Sequence, residues 1–272
     1  MKIGFIGSGN MGGAIIKGAI KMKATSPEEI MIYDKDHVMA EALSKELGVQ
    51  LAQDNTELAT LCDCIFIAVK PIFVQEVIDE IKPWLQGKCL ISIAAGWTFE
   101  MLKNACVPFD DQSAILRVMP NTSISIGQGA TILCQEHSLT AGMLTWATGF
   151  FSTLGYVSML PERLLNAATA VSGSGPAYAY LLMESMIDGA LRLGLPRETA
   201  RRLVAQTLIG TGRMVMISGK EPATLKNEVT SPGGSTIEAL YTFERNAFKG
   251  IVMEAMEECE NKLVQMEKKT QN

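Results

Sequence analysis

Two glycine-rich stretches of this 272-residue chain carry the residue types that receive anions. The first is Gly7-Ser8-Gly9-Asn10-Met11-Gly12. In such a pattern Gly7 permits a tight turn, Gly9 lets the backbone approach a pyrophosphate, and Gly12 lets a helix settle against a strand. Free N–H groups at the helix start then meet the anion. The second stretch is Thr230-Ser231-Pro232-Gly233-Gly234-Ser235-Thr236. Ser235 and Glu238 have the spacing of a capping box, which predicts a helix from Thr236 onward, preceded by a glycine loop whose N–H groups are open to a carboxylate. The hydroxyl of Thr236 can donate a hydrogen bond beside a reacting atom. Together the two stretches point to a dinucleotide and a small carboxylate-bearing substrate.

The elements that must hold the first stretch are legible on both sides of it. Lys2 to Ile6 is a short apolar run of strand type, and Gly13 to Ile20 has helical spacing of apolar residues. A second strand, Ile30 to Tyr33, ends at Asp34. An acidic side chain there can hold the ribose 2′-hydroxyl of NAD, whereas a cation such as Lys35 can pair with the 2′-phosphate of NADP. The sequence points both ways, with a lean to NADH because Asp34 repels the phosphate.

Strand and helix go on alternating. A helix over Val38 to Leu47 stops at Gly48, Val49 to Leu51 is a short strand, and Asp54-Asn55-Thr56 is a capping turn. Cys64 to Val69 is unbroken and apolar, as in a strand buried on both faces of a parallel sheet, and it ends at Lys70-Pro71 on the edge where ligands lie. Lys70 can neutralise a phosphate. After a helix over Phe73 to Ile81 comes the strand Lys88 to Ala94, followed by Ala95-Gly96, small enough to leave room for a flat ring. The strand Ala114 to Met119 runs into Pro120-Asn121-Thr122, where Asn121 is a candidate partner for the nicotinamide or the substrate. A strand over 130–134, a helix over 139–151 and a strand over 155–158 follow. The pattern predicts a doubly wound, mostly parallel Rossmann-type domain over residues 1–161. From Leu164 on no strand is evident. Residues 162–272 read as an all-α domain whose Met-rich, small-residue helices form a subunit interface, with Pro176 and Pro196 opening two of them.

Composition narrows the function classes. Hydrophobic residues make up 47% and charged ones 19%, as in compact globular proteins. A net charge of -5, with no Lys/Arg stripe, argues against nucleic acid and anionic membranes. Six cysteines without a Cys-x-x-Cys pair read as reduced core thiols of a cytoplasmic protein, and with only two histidines no metal site is expected. Neither a signal peptide nor a membrane-spanning stretch is expected.

The set Phe5-Ile6-Gly7-Ser8-Gly9-Asn10-Met11-Gly12, Ala68-Val69-Lys70-Pro71, Met119-Pro120-Asn121-Thr122, Val171-Ser172-Gly173-Ser174-Gly175-Pro176-Ala177-Tyr178 and Thr230-Ser231-Pro232-Gly233-Gly234 resembles the pyrroline-5-carboxylate reductases, in order and over nearly the full length. The resemblance implies reduction of 1-pyrroline-5-carboxylate to L-proline with NADPH or NADH, by an enzyme whose helical domain makes dimers that can gather into a decamer. It implies that Ile6, Gly7, Ser8, Gly9, Asn10 and Met11, with Asn55, Ala68 to Pro71, and Ile93, Ala94 and Ala95, line the cofactor site. It also implies that Gly233, Gly234, Ser235 and Thr236 hold the substrate carboxylate and ring nitrogen. Asp34 departs from the Asn or Ser frequent in the family, which bears on the usual NADPH preference. Two other readings stay open: a β-hydroxyacid dehydrogenase using Lys226 as proton carrier, and a protein that binds NAD(H) without turnover.

Overall fold

The structure is a computed structural model and describes residues 1–107 and 114–271. Its strands are β1 (Ile3–Ile6), β2 (Ile30–Tyr33), β3 (Gln50–Leu51), β4 (Cys64–Ile67), β5 (Cys89–Ser92), β6 (Ala114–Met119), β7 (Gly129–Cys134) and β8 (Gly155–Leu160). They form one eight-stranded sheet in the order β3-β2-β1-β4-β5-β6-β7-β8. All pairings are parallel except that between β6 and β7. The strand order reverses beside β1, between the glycine turn and the end of β4, and in open sheets of this kind ligands bind at that point.

Why the central strands are apolar without alternation follows from what covers them. Successive side chains point to opposite faces, and both faces are buried. Phe5, Ile32 and Phe66 join one core cluster, while Ile6, Ile65 and Ile67 join another. Phe5 and Phe66 are register partners on β1 and β4, and their rings stack at 4.4 Å.

The helices of this part are α1 (Asn10–Lys21), α2 (His37–Leu47), α3 (Asn55–Leu61), α4 (Val74–Ile81), α5 (Phe99–Ala105) and α6 (Ala141–Thr153). Side chains of Asp36, Asp54, Thr98 and Thr140 cap α2, α3, α5 and α6 by accepting from the backbone N–H three residues on. Gly48 ends α2 at φ 75°, the left-handed conformation that glycine adopts freely. Helix α1 starts at Asn10, so Gly12 and Gly13 lie inside it and not in the turn before it.

Beyond the sheet come α7 (Leu165–Ala168), a π-helical turn over Thr169–Gly173, α8 (Gly175–Arg192), α9 (Arg197–Ser218), α10 (Pro222–Glu228), α11 (Ser235–Arg245) and α12 (Phe248–Gln271). Two compact units result: Met1–Pro176 together with the segment from Glu258 onward, and Ala177–Glu257. Residues 162–176 and the end of α12 thus pack with the sheet, although their helical character places them by sequence in the second domain. A buried ion network explains that attachment. Arg117 on β6 is 1% exposed and pairs with Glu162 at 2.8 Å and Glu267 at 3.0 Å. Asn166 donates to the other oxygen of Glu267 at 2.9 Å, and Glu162 accepts the backbone N–H of Phe99 at 2.7 Å. A buried guanidinium requires such partners.

The second unit is helical among its described residues, and only Ala200 and Val204 are buried in it. Leu193, Met216 and Ile217 are each more than 70% exposed. None of the six cysteines forms a disulfide. Among the described residues no helix is long and apolar enough to cross a membrane.

Candidate active site

The glycine turn has the geometry that its spacing predicts. Gly7 sits at φ 99°, and a Cβ there would press on the backbone of Ala68 and Val69 at 2.7–2.9 Å. A Cβ on Gly12 would collide with the carbonyl oxygen of Gly7. Gly9, which caps α1, has open space around it. Two glycines are therefore spent on packing and one on access. The first N–H groups of α1 have no partner within the helix, so the open position at Gly9 leaves donors to an anion.

Beside this turn a cavity of about 390 Å³ gathers Ile6, Gly7, Gly9, Asp34, Lys35, Asn55, Ala68, Val69 and Lys70 from four separate segments. Tyr33, Asp36, Met39, Phe73 and Val77 complete its wall. They escape the sequence reading because they reach the cavity from the flanks of β2, α2 and α4. A wider cleft of about 530 Å³ runs past Ser8, Gly9, Asn10, Lys17 and Thr122, and shares Gly9 and Met39 with the first. Another of similar size beside Trp97 and Thr270 contains none of the predicted residues.

Asp34 turns back onto the glycine turn. Its Oδ2 accepts the Ser8 N–H at 2.6 Å and the Ser8 hydroxyl at 3.1 Å, and its Oδ1 accepts the Asp36 N–H at 3.0 Å. Lys35 extends to Glu76, 2.6 Å from Oε1, with its ammonium 5.7 Å from the centroid of Phe73. The hydrogen bond that Lys35 donates to Glu76 raises the pKa of its ammonium above the usual lysine value. Asn55 is 3% exposed; its amide nitrogen donates to Glu80 at 2.7 Å, and its Oδ1 has no partner.

The remaining predicted cofactor residues line none of these cavities. Gly12 is buried beneath the turn, Met11 packs against the core, and the carbonyl of Pro71 accepts the Trp97 indole N–H at 2.9 Å. Ile93 packs against one core cluster and Ala94 belongs to the other; neither these two nor Ala95 lines the 390 Å³ cavity. Asn121 is 7% exposed, and both ends of its amide are engaged: it donates to the carbonyl of Ser172 at 2.9 Å and accepts the Ala130 N–H at 3.2 Å. It ties β7 to the π-helical turn with one of its two N–H donors and one of the two lone pairs of its oxygen.

In the second unit Gly233 has φ 66°, and Gly234 is the residue that caps α11. The helix begins at Ser235, one residue before the capping box requires, and no side chain caps it. With Ser235 inside the helix, the leading N–H groups of α11 keep no side-chain partner. Ser231, Gly233 and Ser235 are exposed, while Gly234 and Thr236 are half-buried. Lys226 lies with Thr230, Ile237 and Glu238 around a separate cleft of about 540 Å³. Among the described residues no group of three or more His, Cys, Asp or Glu is arranged to hold a metal ion.

Comparison with known proteins covers the full chain. Residues 162–266 match the family described as pyrroline-5-carboxylate reductase dimerisation, and residues 2–96 match NADP oxidoreductase coenzyme F420-dependent. Pyrroline-5-carboxylate reductase 2 of Bacillus subtilis is 37% identical over 259 residues, covering 94% of this chain and 92% of the relative. The Escherichia coli pyrroline-5-carboxylate reductase is 36% identical, with 98% of each chain covered. Among solved structures, the Plasmodium falciparum pyrroline carboxylate reductase with NADP bound superposes with a TM-score of 0.90 at 35% identity, covering 98% of both chains. An imine reductase of Myxococcus stipitatus in complex with NADP+ has a TM-score of 0.54 at 18% identity, a likeness of fold alone.

Proposed function

The chain belongs to the pyrroline-5-carboxylate reductase family, and from that premise we infer that it reduces 1-pyrroline-5-carboxylate to L-proline with a hydride from a nicotinamide dinucleotide. The observation that carries the inference is the matching of relatives over nearly the whole chain, joined to a glycine turn whose packing and access both suit a pyrophosphate.

The residues fit the cofactor. A reduced nicotinamide, when bound, supplies the hydride. The chain's own part is to bind and orient: the α1 start and Gly9 receive the pyrophosphate, while Asp34 and Asn55 face the ribose end as acceptors. We propose NADH as the preferred cofactor. Support comes from the carboxylate of Asp34, from the unpartnered acceptor of Asn55, and from the pairing of Lys35 with Glu76, which leaves that cation already neutralised.

For the substrate we propose that Gly233, Gly234 and Ser235 receive the carboxylate at the start of α11. The Thr236 hydroxyl then hydrogen-bonds the ring nitrogen and helps place its proton, which keeps the imine carbon electrophilic. Ser231 shapes the loop by accepting the Gly234 N–H at 3.1 Å through its carbonyl. Functionally we divide the chain at residue 161, with the cofactor handled before it and self-association and carboxylate binding after it. The apolar side chains exposed on the second unit support a dimer formed there, which can assemble further into a decamer. Six cysteines without a disulfide suit a reducing compartment such as the cytoplasm.

The test is the initial rate of NADH and of NADPH oxidation by purified protein, with and without 1-pyrroline-5-carboxylate. Imine-dependent oxidation is expected, faster with NADH at equal low concentration. Absence of imine-dependent oxidation with either cofactor would overturn the activity.

A further inference from the structure

Glu80 is an exposed residue in the last turn of α4, outside the cofactor motifs. Its Oε2 accepts from the amide nitrogen of Asn55 at 2.7 Å. A carboxylate can only accept, so the end of the Asn55 amide that faces it has to be the NH2 group. The opposite end is then an acceptor, and Oδ1 is buried with no partner while Asn55 lines the 390 Å³ cavity. A buried amide oxygen of this kind calls for a donor. A ribose hydroxyl can donate; a phosphate ester in its dianionic form cannot.

We propose that Glu80 is a positioning residue for cofactor choice: by fixing the Asn55 amide with its oxygen free, it makes this corner of the cavity accept a ribose 2′-hydroxyl and disfavour a 2′-phosphate. The inference rests on the reading of the cavity as the dinucleotide site. It adds a mechanism of selection that Asp34 alone does not supply, since Asp34 acts by charge and Glu80 acts through the orientation of another group. Without the carboxylate the Asn55 amide can turn over and offer its NH2 group to a phosphate oxygen. The charge around this corner is on balance acidic: Asp34 and Asp36 after β2, and Glu76 and Glu80 on α4, stand against Lys35 and Lys70. Glu80 also adds to the field that holds the Lys35 ammonium up, which keeps that lysine engaged on the α4 side.

The experiment compares wild type with Glu80→Ala and Glu80→Gln. Dissociation constants for NADH and NADPH are measured by titrating nucleotide fluorescence, and kcat/KM is measured for both with the imine. Glu80→Ala is expected to raise the NADPH:NADH ratio of affinities by about tenfold, the equivalent of one charge-assisted hydrogen bond. Glu80→Gln, whose side-chain oxygen can still accept from Asn55, is expected to stay within about twofold of wild type. Glu80→Gln should keep the wild-type melting temperature, whereas Glu80→Ala, which leaves the buried Asn55 NH2 group without its acceptor, is expected to lower it by a few degrees with the fold intact. An unchanged ratio in Glu80→Ala would overturn the proposal, and so would an equal shift in both variants, which would assign the effect to charge. The wild-type ratio tests the NADH preference separately: a preference for NADPH there would sink that reading, whereas the response of the ratio to the two variants still decides the role of Glu80. No saturable binding of either nucleotide to the wild type would overturn both.

Discussion

One carboxylate oxygen of Asp34 receives two hydrogen bonds from Ser8, the N–H at 2.6 Å and the hydroxyl at 3.1 Å. The end of β2 is thereby stitched to the glycine turn, and a negative charge is fixed where the adenosine ribose is expected. Replacing Asp34 by Ser removes that charge and brings in a hydroxyl that can donate. The variant Asp34→Ser should shift the kcat/KM ratio toward NADPH by about tenfold or more, since one unbalanced charge facing a phosphate dianion exceeds about 1.4 kcal/mol. Steady-state rates with both cofactors check this, and a ratio unmoved by the substitution would remove Asp34 from the selection.

Gly9 and Gly12 should separate access from packing. A methyl group on Gly9 meets nothing within 4 Å, whereas one on Gly12 collides with the Gly7 carbonyl. Gly9→Ala is therefore expected to keep its melting temperature within about 2 °C of wild type and to lose at least about tenfold in dinucleotide affinity. Gly12→Ala should lose both. Thermal melts with and without NADH distinguish the two variants, and equal behaviour would contradict the assignment.

Thr236 is proposed to act on the ring nitrogen, so its hydroxyl should matter to turnover more than to cofactor binding. Thr236→Ala is expected to lower kcat by about 10²-fold, within the ordinary range for a group that assists proton transfer, and to leave NADH affinity unchanged. Thr236→Ser should recover most of the loss. Wild-type turnover in Thr236→Ala would reduce the residue to a positional one.

Buried thiols give the fold an alkaline limit. Burial pushes Cys62 up to about 11 and Cys134 up to about 12, and raises Cys64 well above its ordinary value. In the unfolded chain each thiol ionises near about 8.5. Below that pH both states keep the proton and the full contribution is present; above it the unfolded chain releases protons that the fold retains, so stability falls until the folded thiols ionise too. Lys88, lowered by desolvation, works the other way up to the ordinary lysine value. With three thiols against one lysine, the urea midpoint should drop between about pH 8 and about pH 10.5. A midpoint that rises over that interval would contradict the balance.

The parts of this protein that could be read from sequence are those in which the deciding contacts are local. The strand–turn–helix unit, the Asp54 cap and the Gly48 stop depend on residues a few positions apart, and each is present, with α1 beginning at Asn10, three residues earlier than the pattern places it. The paired carboxylate on Lys35 lies 41 positions away, the carbonyl that occupies Asn121 lies 51 away, and no spacing rule could have found either. The capping box at Ser235 failed for a different reason. Two residues with suitable spacing do not fix where a helix begins, and Gly234 takes the cap position one residue early. The cavity wall contributed by Tyr33, Met39, Phe73 and Val77 was hidden because apolar side chains on a flank read as core until the neighbouring segments are placed. The ion pair between the end of α12 and β6 joins residues 150 positions apart, and no local pattern announces it.

That ion pair sets an order of events during biosynthesis. Arg117 and Glu267 are 150 positions apart, and the whole of Ala177–Glu257 is synthesised between them. At the usual speed of translation the interval is on the order of ten seconds. During that time the nascent sheet already contains a guanidinium meant for the interior, with Glu162 as its earlier partner and Glu267 not yet made. The N-terminal unit thus begins first and is completed last, once the segment that carries Glu267 has been made.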